Sequence, residues 1–242
     1  MIVQRQRSGK LAVKQEDHAA LAAFILENWA AHSFPNHPDR QRIIVATREH
    51  DLGWKKFDAN PRLDAKSHLP VDYTKINPQE ASAIWTEAAD RFIKTDPFVA
   101  LLITHHAYTL HEATSRRDSK WKQFFIDFAR RRAALRDGLN LTHNDIEHPY
   151  SFIRMADWFS LQFCLEPKLG EEKPERYAGY TVRREGSGYL FRPYPFMSRQ
   201  LAYSLPVYEL PAKGFTTEKE VKAFFKKPTM VDIDFGALER WE

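Results

Sequence analysis

The stretch Phe98-Val99-Ala100-Leu101-Leu102-Ile103 is apolar on every side of a helix. A helix without a polar face belongs at the centre of a bundle, ringed by other helices. The run is far shorter than the roughly 20 apolar residues needed to span a bilayer, so it reads as core. Asp96-Pro97 opens it, with proline placed where the first helical turn tolerates it. His105 and His106 follow directly, and the helical repeat carries at least one of them into the interior. His106 shares a face with Val99, Leu102, Ile103 and Leu110, whereas His105 lies with Leu101, Leu102 and Thr109.

Amphipathic helices are expected around this centre. One runs from about residue 15 to 31 and places His18, Ala22, Ile25 and Trp29 on one face, so His18 points inward from the first turn. A second, from about residue 39 to 51, ends in the pair His50-Asp51, with the two side chains about 100° apart on the same inner side. Gly53 is expected to supply a left-handed exit. Residues 54–77 read as a long loop. Asn77-Pro78-Gln79-Glu80 then opens a helix with an N-cap, proline at the first position and glutamate at the third. Residues 116–137 form a further helix, basic towards its end through Arg130, Arg131, Arg132 and Arg136. The last strong helix spans about Pro149 to Leu165, stopped before Pro167. Asp157 lies in it among Phe152, Ile153, Ala156, Trp158, Phe159 and Leu161. An ionised carboxylate in such a setting requires a partner. Arg154, three residues earlier, is the structural choice and a metal ion the functional one.

The two ends of the chain have a different pattern. Ile2-Val3 and Leu11-Ala12-Val13 flank Ser8-Gly9-Lys10 as a short hairpin. From residue 168, Thr181–Arg184 and Tyr189–Arg192 flank a Gly-rich turn, and further strands are expected at 201–210 and 231–235, with a short helix at 217–225. The expected fold is mainly α: a helical bundle over residues 1–167 that includes the N-terminal hairpin, with a β-rich C-terminal extension over 168–242 packed on it. Of the 242 residues, 43% are hydrophobic and 28% charged, which fits a globular protein with an ample core. The formal net charge of +4 tolerates an anionic substrate without calling for nucleic acid. Cys164 is the single cysteine, which rules out an intrachain disulfide and a thiolate metal cluster. With no apolar signal segment and no membrane span, a cytoplasmic setting is expected, and a homo-oligomer is compatible with it.

His18, His50, Asp51 and Asp157 form a nitrogen-and-oxygen donor set. It suits manganese, iron, cobalt, nickel, zinc or magnesium better than calcium. These four could hold one octahedral cation with two positions left over; His106, with Asp51 bridging, could hold a second. Such a cation lowers the pKa of bound water and neutralises a phosphoryl oxygen. The order His18, His50-Asp51, His106, Asp157 on successive helices resembles the HD-domain superfamily of metal-dependent phosphohydrolases. Several longer stretches look like an uncharacterised bacterial family with an HD-like fold, known as a domain of unknown function. They are Gln15–Leu21, His50–Trp54 with Asp58 and Pro61, Asp96–Leu102 through His106, Asp157–Leu161, and Arg192–Phe196.

The resemblance implies an HD-like bundle with His18, His50, Asp51 and Asp157 as metal ligands, and with His106 rather than His105 as the matching later histidine. It further implies a hydrolase acting on a small phosphorylated anion, a phosphoester or a nucleotide. Asp51, His106 and Lys55 are the candidate catalytic residues. Trp54 departs from the pattern, because better-known relatives carry a charged residue there; Lys55, Glu49 and Asp58 are the nearest charges. Two other readings are open at this point. One is a binding or scaffold protein whose polar residues simply satisfy one another. The other is a di-iron oxygenase, which needs His106 and a further ligand such as His105 or His68.

Overall fold

The structure is a computed structural model and describes residues 1–6, 9–165 and 175–238. The chain opens with antiparallel strands β1 (Ile2–Gln6) and β2 (Gly9–Val13), Ile2 lying opposite Val13. Helices α1 (Gln15–Glu27) and α2 (Arg40–Glu49) follow. A short helix α3 (Lys55–Ala59) and a two-stranded ribbon, β3 (Leu63–Asp64) with β4 (Leu69–Pro70), occupy part of the expected long loop. Next come α4 (Pro78–Asp90), α5 (Pro97–Arg117), α6 (Lys122–Gly138) and α7 (Asn144–Cys164). Strands β5 (Glu175–Tyr177), β6 (Tyr180–Glu185), β7 (Gly188–Arg192) and β8 (Leu201–Leu210), helix α8 (Glu218–Phe224) and strand β9 (Thr229–Ala237) complete the described chain.

Local chemistry sets several boundaries as expected. Asn77 and Glu80 form a reciprocal capping box at the start of α4. Asp96 accepts from the backbone N–H groups of Phe98 and Val99 at the start of α5, and the Arg42 guanidinium of α2 grips the same carboxylate. α7 begins at Asn144 and takes Pro149 into the helix, earlier than the expected start at Pro149. Pro167, expected to stop α7, and Ser8 of the hairpin turn lie outside the described residues, as does the 167/168 boundary.

The expectation of a mainly α fold is too narrow: the chain is mixed α/β, about half helical, with one seven-stranded sheet in the order β1-β2-β8-β9-β7-β6-β5. The physical reason is edge pairing. The N-terminal hairpin presents β2 to β8, with Ala12 opposite Tyr208 and Lys10 opposite Leu210. Hairpin and C-terminal strands thereby satisfy each other's backbone groups in a single sheet. β7 and β9 pair in parallel, while the other neighbours are antiparallel.

One cluster of buried side chains runs from the helices into the sheet, through Leu21, Ile25, Leu101, Ile153, Phe159, Phe191 and Phe235. Val99 to Ile103 of α5 are all at or below 1% exposure, as a helix apolar on every side requires. The segment after β7 ties the sheet to α1: the Ala30 N–H donates to the Pro195 carbonyl, the Met197 N–H donates to the Asn28 carbonyl, and Trp29 packs edge-on against Phe196. At the other end the Gln15 N–H donates to Asp58, so α1, whose first turn carries His18, is held at both ends. Among the described residues, no helix is long and apolar enough to cross a membrane.

Candidate metal centre

Four helices deliver polar side chains to one buried point. α1 contributes His18 and α7 contributes Asp157; His50 and Asp51 stand at the end of α2, and His106 sits in the middle of α5. All five are buried. His50 keeps helical backbone angles as the cap just after α2, whereas Asp51 departs from them and starts a tight turn over Leu52–Trp54. That turn presses on α4. A Cβ on Gly53 would lie 1.9 Å from the Ile84 carbonyl oxygen, so only glycine allows this approach. Gly53 is therefore not the left-handed exit expected from its place after the helix: it is absent from the glycines with positive φ, and close packing is what requires it.

His18 Nε2 lies 2.9 Å from Asp157 Oδ1 and 3.8 Å from Asp51 Oδ2. His50 Nε2 lies 3.3 Å from Asp51 Oδ2 and 3.5 Å from Asp157 Oδ1. One ligand atom from each of His18, His50 and Asp157 falls within 4.8 Å of the others. Asp51 adjoins this set without joining it. Donors about 2.1 Å from a shared ion stand about 3.0 Å apart at an octahedral right angle and about 3.4 Å apart at a tetrahedral one. The separations of 2.9, 3.3 and 3.5 Å have that size, and the 3.8 Å between His18 and Asp51 exceeds it.

The hydrogen bonds behind the rings decide what these nitrogens can do. His50 Nδ1 lies 2.6 Å from the Thr47 carbonyl, an acceptor only, so its proton is on Nδ1. His18 Nδ1 and the Asp157 carbonyl each lie 2.9 Å from Ser160 Oγ; with the hydroxyl hydrogen on the carbonyl, Oγ accepts from the imidazole. His50, and His18 in that arrangement, present bare Nε2 atoms to two carboxylates when neutral. A lone pair facing an anion needs a cation between them, either a proton or a metal ion. His50 Nε2 makes no hydrogen bond in its present geometry: the groups converge on a common point more than on each other. Backing of imidazole Nδ1 by carbonyl and hydroxyl groups is what a metal-binding histidine ordinarily has. The residues fit a divalent cation.

The electrostatics agree. Burial pushes the Asp157 carboxyl up, but the contacts with His18 and His50 outweigh it and hold the group well below the usual carboxylate range. Asp51 is lowered in the same way, burial being outweighed by His50. Burial lowers His50, yet the charges of Asp51 and Asp157 bring it well above its ordinary value. In the absence of an ion, a proton takes the cation's place.

His106 stacks edge-on against His50 at 4.6 Å between ring centres, with Nδ1 3.4 Å from the Tyr150 hydroxyl. Burial, helped by His50, pushes its pKa down to about 4, so it is neutral. His105 goes elsewhere: its ring nitrogens lie 3.4 Å from an Arg132 nitrogen and 3.0 Å from Glu147 Oε1. His68 lies on the ribbon next to Phe215. His106 reaches the cluster, but neither His105 nor His68, the further ligands suggested for a di-iron centre, does. Lys55 is 67% exposed and faces Glu16 at 3.5 Å, away from the cluster. Arg154 is not the partner of Asp157; it lies exposed beside the Tyr150 ring.

A family of proteins of unknown function, DUF3891, matches residues 1–212. The chain belongs to this family. No curated protein and no solved structure matches it. The family match takes in His18, His50, Asp51, His106 and Asp157, and it continues through the whole of β8.

Sequence reasoning missed the supporting residues. Thr47 reads as one more inward-facing threonine, and the role of Ser160 depends on its standing three residues after Asp157 on the face that meets α1. A small polar residue one turn from a buried ionisable one is the signal that could have found it. Tyr150 had no such signal.

Proposed function

We propose that this protein is a metal-dependent phosphohydrolase that splits a phosphoester at a divalent cation held by His18, His50, Asp51 and Asp157. The observation that carries the reading is the convergence of the Nε2 atoms of two buried histidines, backed at Nδ1 by Thr47 and Ser160, on two buried carboxylates. A bound divalent cation supplies Lewis acidity, activating water near neutral pH and offsetting charge on a phosphoryl oxygen. Asp51 and Asp157 balance the cation's charge, and Thr47 and Ser160 fix the ring orientations. His106, neutral and 4.6 Å from His50, keeps a lone pair that can take a proton or serve a second ion. Arg132 and Arg154 line a depression that also reaches Asp157, where they favour the approach of an anion. The order of the ligands along the chain supports kinship with the HD superfamily, and that kinship rests on these residues alone.

The test is turnover of a panel of phosphomonoesters, phosphodiesters and nucleotides by protein stripped with chelator and reloaded in turn with manganese, iron, cobalt and magnesium. Hydrolysis is expected with at least one metal, and its loss in His50→Ala and Asp51→Ala together with the metal content. No turnover under any loading removes the reading. Unchanged metal content in both variants returns the cluster to a polar core whose members satisfy one another.

A further inference from the structure

A cavity of about 380 Å³ opens on the cluster, with His18, Asp51, His106 and Asp157 at one end. Aromatic rings make much of its other wall: Trp54, Tyr73, Trp85, Trp121 and His111. These rings form a satellite of the main core, packed between the turn after α2, α4 and the start of α6. His111 stacks on Trp121 at 4.3 Å and 15°, meets Trp85 edge-on at 4.8 Å, and Trp85 in turn meets Trp54 at 90°. Burial pushes the His111 pKa down to about 4, so the slab it forms with Trp121 is uncharged. Among the described residues, no hydrogen-bond partner meets the indole N–H of Trp54 or Trp85, or Nε2 of His111. Leu110 lines the same cavity and is 45% exposed, an apolar residue at its mouth. Sequence periodicity had placed it inside with His106.

A charged cluster at one end and flat, uncharged rings along the walls select a two-part ligand. The size falls within the range of roughly 300–1,000 Å³ typical of small-molecule sites. We infer that the cavity binds the planar aromatic part, a nucleobase or a simple aryl ring, of the ester whose phosphoryl group meets the metal cluster. This rests on the phosphohydrolase reading for the group at the far end. Stacking on aromatic side chains holds such rings whatever their sequence of heteroatoms. A quaternary ammonium group is the competing occupant, because aromatic cages also take cations.

The probe is binding without chemistry. Chelator-treated protein is titrated with adenosine, uridine, phenol and choline, following tryptophan fluorescence and heat. Saturable quenching by a nucleoside or by phenol is expected, with the stronger of the two telling base from aryl. Leu110→Trp, which fills the mouth from an exposed position, and Tyr73→Ala, which removes one wall, are each expected to weaken that binding at least tenfold, the former with unchanged thermal midpoint and metal content. Binding of choline alone, or of none of the probes, overturns the inference. Nucleoside binding by a protein that hydrolyses no ester leaves this subsite standing and removes the phosphohydrolase reading. The reverse result removes only the subsite.

Discussion

Asp58 and Asp157 are both buried carboxylates, yet they are satisfied in different ways. Asp58 receives a hydrogen on each oxygen: the Met1 ammonium donates to Oδ1 at 2.8 Å and the Gln15 N–H to Oδ2 at 2.7 Å. It ties β1 and the start of α1 to α3 and leaves nothing for a ligand to do. Asp157 faces imidazole nitrogens whose only protons, in the neutral rings, lie on the far side, bonded to Thr47 and Ser160. Burial and charge are alike in the two regions. The difference is where the hydrogens are, and it separates a structural ion pair from a site prepared for a cation.

The comparison breaks most readily at Asp157. Adding manganese at 100 times its dissociation constant is expected to stabilise the wild-type fold by about 2.7 kcal/mol, and Asp157→Ala is expected to abolish that gain completely in a thermal-shift titration. An equal gain in the variant would make Asp157 no more of a ligand than Asp58. The mirror experiment is Asp58→Asn. Removing one partner of a buried pair costs about 3–5 kcal/mol, so chemical denaturation should show a large loss of stability while metal content per folded molecule stays at the wild-type value. A smaller effect is expected from Ser160→Ala, which removes the acceptor behind His18. Metal affinity measured by competition with a chromogenic chelator should fall about 10–100-fold. If it is unchanged, the hydroxyl merely fills space. The smallest effect belongs to Lys55→Ala: with its side chain at the surface, both metal affinity and thermal midpoint are expected to match wild type.

Much of this was legible in the chain, for local reasons. The Asn77–Glu80 capping box and the Asp96-Pro97 start are contests between neighbouring backbone and side-chain groups, which a few residues settle. His18, His50 and Asp157 stood out because each interrupts an apolar helical face, and such a residue must meet something polar. Three features were beyond reach of local rules. The pairing of β2 with β8 joins residues 10–12 to 208–210, and period-2 patterning says nothing about which edges meet. Gly53 looked like a helix stop, because the carbonyl of Ile84 that forbids a side chain there arrives from another helix. Arg154 looked like the partner of Asp157 by helical spacing, a rule for exposed faces; Asp157 turns inward to α1 and α2 while Arg154 stays outside. Lys55 was close in sequence to the pair and still far from the cluster, because the tight turn after Asp51 turns it outward to Glu16.

The central claim is that His18 and His50 offer bare Nε2 atoms to a cation, and nitrogen-15 NMR of histidine-labelled protein measures this directly. With one equivalent of zinc added to the stripped protein, the account predicts both rings in the Nδ1–H form, with the Nε2 resonances moved to the metal-bound range. If both rings instead remain doubly protonated, with shifts that zinc does not alter, the cluster is an internal ion pair like that of Asp58, and the cation site does not exist.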